Sequence, residues 1–375
     1  MKIAFVYDAI YPWVKGGAEK RIYEIGRRLA ERGNEVHLFG VKWWEGEDII
    51  EFEGMVLHGV CDSRELYTNG RRSIIQALSF SISLFRPLLK EEFDVIDVSV
   101  FPYFSCFTTK AVSVIKRTPL VFTWHEVWDD YWYEYMGRIG VFGLMVERIV
   151  SKLSKDNIAV SKWTKAKMET IGIKTKNICV IPNGIDLEQI QRIKPSSEQS
   201  DIVFAGRLIK EKNVDLLLRV VSILKNSTSD IRCIIMGDGP EKERLLHLTE
   251  ELRLEDNILF TGFIEYDELI GNIKASRVLV LPSKREGFGI VAIESFACGK
   301  PVVTVNSKDN AAQEIVVDSV NGFVVDAEAE KLARIMEKVL DDKVLYGNLV
   351  ENATREAKKY GWEIIVAHIF MLQVK

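Results

Sequence analysis

The chain has 375 residues, 47% of them hydrophobic and 28% charged, with a formal net charge of −4. A chain this long exceeds what one core usually holds, so two domains are expected, and the mildly acidic balance argues against a nucleic-acid partner. Five dispersed cysteines without CxxC spacing argue against a disulfide framework and against a zinc site, and point to a reducing, cytoplasmic setting.

The chain opens on "KIAFVYD" (2–8), a continuous apolar strand suited to a parallel sheet covered on both faces, and not a signal peptide. "KGGAEKR" (15–21) places Gly16 and Gly17 between that strand and a helix over 18–33. Its spacing is wrong for a nicotinamide fingerprint, which leaves a tight turn or a close approach to a substrate. Strands follow at 34–40, 94–100, 120–126 and 156–161. His125 ends the 120–126 strand, where an imidazole can meet a hydroxyl, although a lone histidine is more often structural.

Two stretches in this half are unusual. "RRSIIQALSFSISLFRPLLK" (71–90) is basic at both ends with an apolar middle, and residues 124–146 are dense in aromatics. Both read as core-packed helices or as surfaces resting on a membrane. No apolar run reaches the length of a span.

"IPNGIDLEQIQRIKPSSEQS" (181–200) has the composition of an interdomain linker. The alternation then restarts. Strands are expected at 202–208, 231–239, 257–263, 278–283 and 301–306, with helices at 214–226 and 241–252. The pattern predicts two doubly wound α/β domains, with ligands beyond the carboxyl ends of the strands.

The second half carries the sharper chemistry. In "REGFGIVAIE" (285–294), Gly287 and Gly289 allow positive φ and close backbone approach. A helix starting near Gly289 or Ile290 presents N–H groups and a positive dipole end to an anion. Glu286 before that end and Glu294 one turn beyond it are unsuited to touch phosphate; they suit hydroxyls, as acids do on ribose. Phosphate flanked by two polyhydroxylated groups describes a nucleotide sugar. In "AGRLIKEKNVD" (205–215), Arg207 and Lys212 lie where cations oppose a helix dipole, which a bound diphosphate would explain. The bland alternatives are a solvated helix acid, a dipole-complementing acid and two exposed basic residues.

Taken in order, "KGGAE" (15–19), "WH" (124–125), "AVS" (159–161), "IPNGID" (181–186), "AGRLIKEKN" (205–213), "GDGP" (237–240), "FTGF" (260–263), "EGFGIVAIE" (286–294), "CGKPVV" (298–303) and "NGFVV" (321–325) give a chain that resembles the retaining glycosyltransferases of family 4, with the GT-B fold. The resemblance implies two Rossmann-like domains facing across a cleft: residues 1–187 plus 360–375 on the acceptor side, and 188–359 binding the nucleotide sugar. The last helix (360–372) would return to the first domain.

The implied reaction is retaining transfer of a hexose from a UDP- or GDP-linked sugar to a sugar or lipid-linked acceptor, with no cofactor and no required metal. Arg207 and Lys212 would bind the diphosphate, Glu286 the donor sugar, Glu294 the ribose. Backbone amides from Phe288 to Val291, with Ile290 between, would meet phosphate and sugar, and His125 would contact the sugar. Gly17 would lie near the phosphate or acceptor, and Gly206, Gly287, Gly289 and Phe263 join the nucleotide-sugar set. One departure stands out: Asn310, Ala311 and Ala312 occupy the place of a family glycine pair ahead of Glu314, which leaves the donor less defined. An epimerase or phosphorylase on the same fold, or a non-catalytic sugar-nucleotide-binding subunit, are the competing readings. The implied location is cytoplasmic, with a peripheral contact at the inner membrane face as one option.

Overall fold

A computed structural model of the chain describes residues 1–64, 67–68 and 71–373. Side chains are described for residues 1–64 and 72–370. The expected first-domain segment 360–375 therefore ends outside the described residues. The chain forms two compact units, Met1–Asn183 with Trp362–Lys375, and Gly184–Gly361. The expected boundaries, 187/188 and 359/360, lie within a few residues of these.

The first unit is built on strands β1 (Lys2–Val6), β2 (Glu35–Lys42), β3 (Ile49–Phe52), β4 (Met55–Asp62), β5 (Val95–Ser99), β6 (Leu120–Trp124), β7 (Asp156–Ala159) and β8 (Ile178–Val180). Their order is β8-β7-β6-β5-β1-β2-β4-β3. All pairings are parallel except β3 with β4. The strands read as apolar runs because helices cover both faces. One face buries Phe39, Phe80, Phe122 and Trp124. The other buries Ile3, Phe5, Ile25 and Leu29 together with Trp362, Ile365, Val366 and Ile369 of the last helix, Trp362–Gln373. The final helix thus supplies core to the first unit.

The second unit carries β9 (Ser200–Ala205), β10 (Cys233–Met236), β11 (Ile258–Gly262), β12 (Ser276–Leu281), β13 (Val302–Asn306) and β14 (Gly322–Asp326). Their order is β11-β10-β9-β12-β13-β14, all parallel. This is the doubly wound order 3-2-1-4-5-6, whose switch point falls between β9 and β12. Apolar strand residues such as Phe204, Ile235 and Val280 pack against Leu217, Val221 and Met336 of the covering helices.

The boundary between the units, Asn183/Gly184, falls inside the expected linker 181–200, but much of that stretch is structured. Ile181 belongs to the first unit's core, and Leu187–Arg192 is a helix capped by the Asp186 carboxylate, which accepts from the Gln189 N–H at 2.9 Å. Residues 194–199, with Pro195 and the polar tail, lie between that helix and β9 outside any helix or strand.

Candidate active site

The second unit's switch point gathers most of the expected donor residues. β9 ends at Ala205, followed by Gly206 and the exposed Arg207. Their backbone is laid against the next loop. Gly206 N–H donates to Met236 O at 3.0 Å and Leu208 N–H to Asp238 O at 2.9 Å. A Cβ on Gly237 would stand 2.0 Å from Gly206 O, so the "GDGP" glycine is required by this close approach. A 3₁₀ turn, Lys210–Lys212, then leads to Asn213, which takes left-handed φ at 53° and heads the helix Val214–Leu224.

Across the switch point, β12 ends at Leu281 and its loop returns toward this turn: Lys284 N–H donates to Glu211 O at 2.8 Å. Arg285–Glu286 forms a short parallel pair with Asp309–Asn310. That pair positions Glu286, and its Oε2 lies 2.5 Å from Lys212 Nζ, with the side chains 14% and 20% exposed respectively. The sequence reading gave these two residues separate ligands; the fold also makes them partners.

Gly289 takes φ 89° and ψ 59° and is the N-cap of the helix Ile290–Ala297. Gly287 is not among the positive-φ glycines, so only one of the two is needed for the turn. The N–H groups of Ile290 and Val291 head this helix, at the positive end of its dipole. Glu294 lies on it with 6% exposure. The Phe288 ring is buried 6.0 Å from Tyr360, edge-on, so this side chain anchors the loop and leaves only its backbone to meet a ligand. Phe263, just after β11, is exposed.

The segment that departs from the family pattern is locked. Asn310 is fully buried; its amide donates to Thr304 Oγ1 at 3.0 Å and Val305 O at 2.8 Å, and its Oδ1 accepts from Ala312 N–H at 3.1 Å. Ala311 and Ala312 are buried in the 3₁₀ turn Ala311–Glu314. A Cβ on Gly289 would meet that of Ala312 at 3.2 Å, so the alanines back the glycine turn.

Sequence reasoning missed Ser283. Its hydroxyl is buried just past β12 with no partner among the described residues. A lone serine in "LPSKRE" carries no signal by itself.

In the first unit, the expected Gly17 opens the helix Gly17–Glu31 with Gly16 as N-cap. His125 follows β6, its Nε2 3.1 Å from Ser99 Oγ. Burial and the nearby Arg21 push its pKa down to about 3, so the ring is neutral. Arg21 is buried and donates to Ile181 O at 3.0 Å, Pro182 O at 2.5 Å and Asn183 Oδ1 at 3.1 Å. Asp97 accepts from Thr123 Oγ1 at 2.7 Å, and burial pushes its carboxyl up to about 6. Arg21, Asp97, Ser99 and Thr123 line one small cavity.

Just past β1, the buried Asp8 pairs with Arg72 at 2.5 Å through Oδ1, while its Oδ2 has no partner among the described residues. Burial raises its carboxyl pKa against the pull of Arg72. Glu19, in the first helical turn, is buried and held at about 7 by desolvation. Neither stands out in the sequence: Asp8 simply ends the "KIAFVYD" strand stretch, and Glu19 is one letter of "KGGAE".

Other stretches quoted for the resemblance serve the fold. Ser161 of "AVS" caps the helix Lys162–Thr170 by accepting from Thr164 N–H at 2.9 Å. Asn183 of "IPNGID" holds Arg21.

Comparison with known proteins agrees with this geometry. Residues 186–359 match the family profile "Glycosyl transferases group 1", and residues 15–189 match "Glycosyltransferase Family 4". An uncharacterized glycosyltransferase of Methanocaldococcus jannaschii is 28% identical over 397 residues, covering 97% of this chain and 96% of that protein. Among solved structures, the sucrose-phosphate synthase of Thermosynechococcus elongatus superposes with a TM-score of 0.84 at 21% identity, over 99% of this chain and 98% of that one. HepE of Anabaena in complex with UDP-glucose gives 0.78 at 20% identity, over 99% and 98%. Two Rossmann-like units with parallel sheets, and two profiles that together span nearly the whole chain, make this protein a member of the group 1 glycosyltransferases with a family 4 amino-terminal half, of the GT-B fold class.

Proposed function

We propose that this chain is a retaining hexosyltransferase that moves a sugar from a UDP- or GDP-linked donor to a sugar or lipid-linked acceptor, with no metal required at the donor. The observation that carries the reading is the Lys212–Glu286 pair standing beside the Gly289 helix start, with Arg207 and Glu294 on neighbouring elements of one switch point. HepE, of like fold, is described in complex with UDP-glucose, which favours a uridine donor here.

In this reading the donor diphosphate meets Arg207, Lys212 and the N–H groups of Ile290 and Val291. Glu294 accepts from ribose hydroxyls, and Glu286 from the hydroxyls of the sugar. As the sugar–phosphate bond breaks, negative charge grows on the leaving diphosphate, and the two cations stabilise it without reorganising. The diphosphate takes the acceptor's proton, and attack comes from the face it leaves. The neutral His125 ring contributes a hydrogen bond and no charge.

The acceptor is assigned to the first unit, where Asp8 Oδ2 has no partner among the described residues and the Glu19 carboxyl is buried. Exposed apolar side chains favour an acceptor at a membrane surface. Ile75, Leu78 and Ile82 stand out from the helix Ile74–Lys90, and Val141, Phe142 and Met145 from the helix Gly140–Val150. Among the described residues no helix is long and apolar enough to cross a membrane, so contact would be peripheral.

A Glu294→Ala variant tests the donor reading. Losing a charged hydrogen-bond acceptor costs about 1.5–3 kcal/mol, or roughly ten- to a hundredfold in UDP or GDP affinity. Calorimetry showing wild-type affinity for both nucleotides would remove the ribose assignment.

A further inference from the structure

A second cluster of chemistry lies in the first unit, toward the amino ends of its strands. His37 is the third residue of β2 and His58 the fourth of β4. Their rings are stacked 5.0 Å apart, with His37 Nδ1 2.8 Å from His58 Nε2. Glu91, just past the helix Ile74–Lys90, brings a carboxylate oxygen to 3.9 Å from the same Nδ1. The three donor atoms all lie within 4.8 Å of one another. Phe39 stacks on His58 at 4.2 Å and Phe93 meets His37 edge-on at 5.3 Å, so an apolar wall closes the cluster.

The proton on His37 is already assigned by its other neighbour. Glu35 Oε1 lies 2.9 Å from His37 Nε2. A carboxylate only accepts, so Nε2 carries the hydrogen and Nδ1 points its lone pair into the cluster. Carboxylate–histidine pairs set metal-ligand tautomers in the same way.

We propose that His37 Nδ1, His58 Nε2 and the Glu91 carboxylate form a binding site for one Zn²⁺ ion, with water in the fourth position and Glu35 as the outer carboxylate. Binding needs His58 to move its proton to Nδ1. Zinc–nitrogen bonds near 2.0–2.1 Å in a tetrahedral site put two nitrogens about 3.3 Å apart, so the rings part by roughly half an ångström. Glu91 is partly exposed and can swing inward. The competitor is Lys2, whose ammonium lies 2.6 Å from Glu91 and 2.8 Å from Glu35. Zinc and Lys2 therefore contend for the same carboxylate. The site would tie β2 and β4 to the end of the Ile74–Lys90 helix, and takes no part in the transfer reaction.

The full-length protein, stripped with EDTA, is titrated with ZnCl₂ while bound metal is counted after gel filtration and the unfolding midpoint is followed. One equivalent is expected, with a midpoint rise of several degrees at a hundredfold excess over Kd. His37→Gln and His58→Gln should each weaken binding by more than tenfold. Lys2→Met should tighten it, and Glu91→Gln, at a partly exposed position that spares the core, should weaken it about tenfold. The proposal is overturned by less than one equivalent bound, by unchanged affinity in Glu91→Gln, or by a Lys2→Met protein that binds zinc no more tightly than wild type. The last two readouts stand even if a buried histidine variant fails to fold.

Discussion

Lys212→Ala separates a structural ammonium from a catalytic one. In the free protein Lys212 is held at 2.5 Å by Glu286, with both side chains mostly buried. Losing one partner of such a charge-assisted bond costs about 1.5–3 kcal/mol. For a unit of this size, roughly 2–4 °C per kcal/mol, that lowers the midpoint of the second unit by about 3–12 °C. Stabilisation of a leaving diphosphate is a different quantity. Loss of one preorganised donor to a developing anion costs about 2.7–4 kcal/mol in the transition state, or 10²–10³ in kcat. Glu286→Gln should also lower the midpoint, and the double variant should recover part of the loss, because no charge is then left unpaired. The assay is differential scanning calorimetry beside sugar release from UDP-glucose and GDP-mannose at 25 °C, where all three variants stay folded. If Lys212→Ala melts early yet keeps transfer within threefold of wild type, the ammonium belongs to the fold and the diphosphate assignment fails.

Further outcomes follow from other residues. Gly289→Ala places a Cβ at φ 89° and 3.2 Å from that of Ala312; with about 1–2 kcal/mol of backbone strain, it should raise the donor KM while leaving Glu286 in place, as steady-state kinetics will read. Glu19 binds its proton more tightly in the folded chain, at about 7, than an exposed glutamate does near 4.5, so its contribution is full below pH 4.5 and lost as pH rises through 7. Glu19→Gln should therefore stabilise the protein by on the order of 1–3 kcal/mol at pH 8 and by little at pH 4.5, measured by urea unfolding; equal effects at both values would refute the burial argument. Replacing Ile82 and Phe142 by aspartate removes two exposed apolar side chains and should abolish sedimentation with anionic liposomes without changing the unfolding midpoint.

The sequence was most legible where one constraint acts alone. Buried parallel strands must be apolar along their length, so β1, β9 and β12 stand out, and the start of the helix Ile290–Ala297 is marked by Gly289. The β3–β4 hairpin was missed because its turn is Glu53-Gly54, with φ 49° and 75°, rather than the usual Asn-Gly. β8 is only three residues long and ends just before the stretch whose proline and Asn-Gly suggested a linker. Pairings between distant residues were out of reach. Nothing in "KEK" or "REG" says that Lys212 will meet Glu286, 74 residues away, because that contact exists only once β9 and β12 lie side by side. Buried charge was equally hidden, since Asp8, Arg21 and Asp97 are polar letters whose burial depends on the whole sheet.

The last helix also bears on how the chain can be cut. Ile185 N–H donates to Tyr360 O at 2.8 Å, and Ile185 bridges Gly361, so the second unit begins and finishes at the same spot. A unit whose two ends already touch can be cut out without parting its own chain ends. Residues 184–361 should fold as an independent fragment and retain nucleotide affinity. Deleting residues 362–375, by contrast, strips Trp362, Ile365, Val366 and Ile369 from the other unit and should leave it unfolded, although the cut lies almost two hundred residues from its nearest strand in sequence.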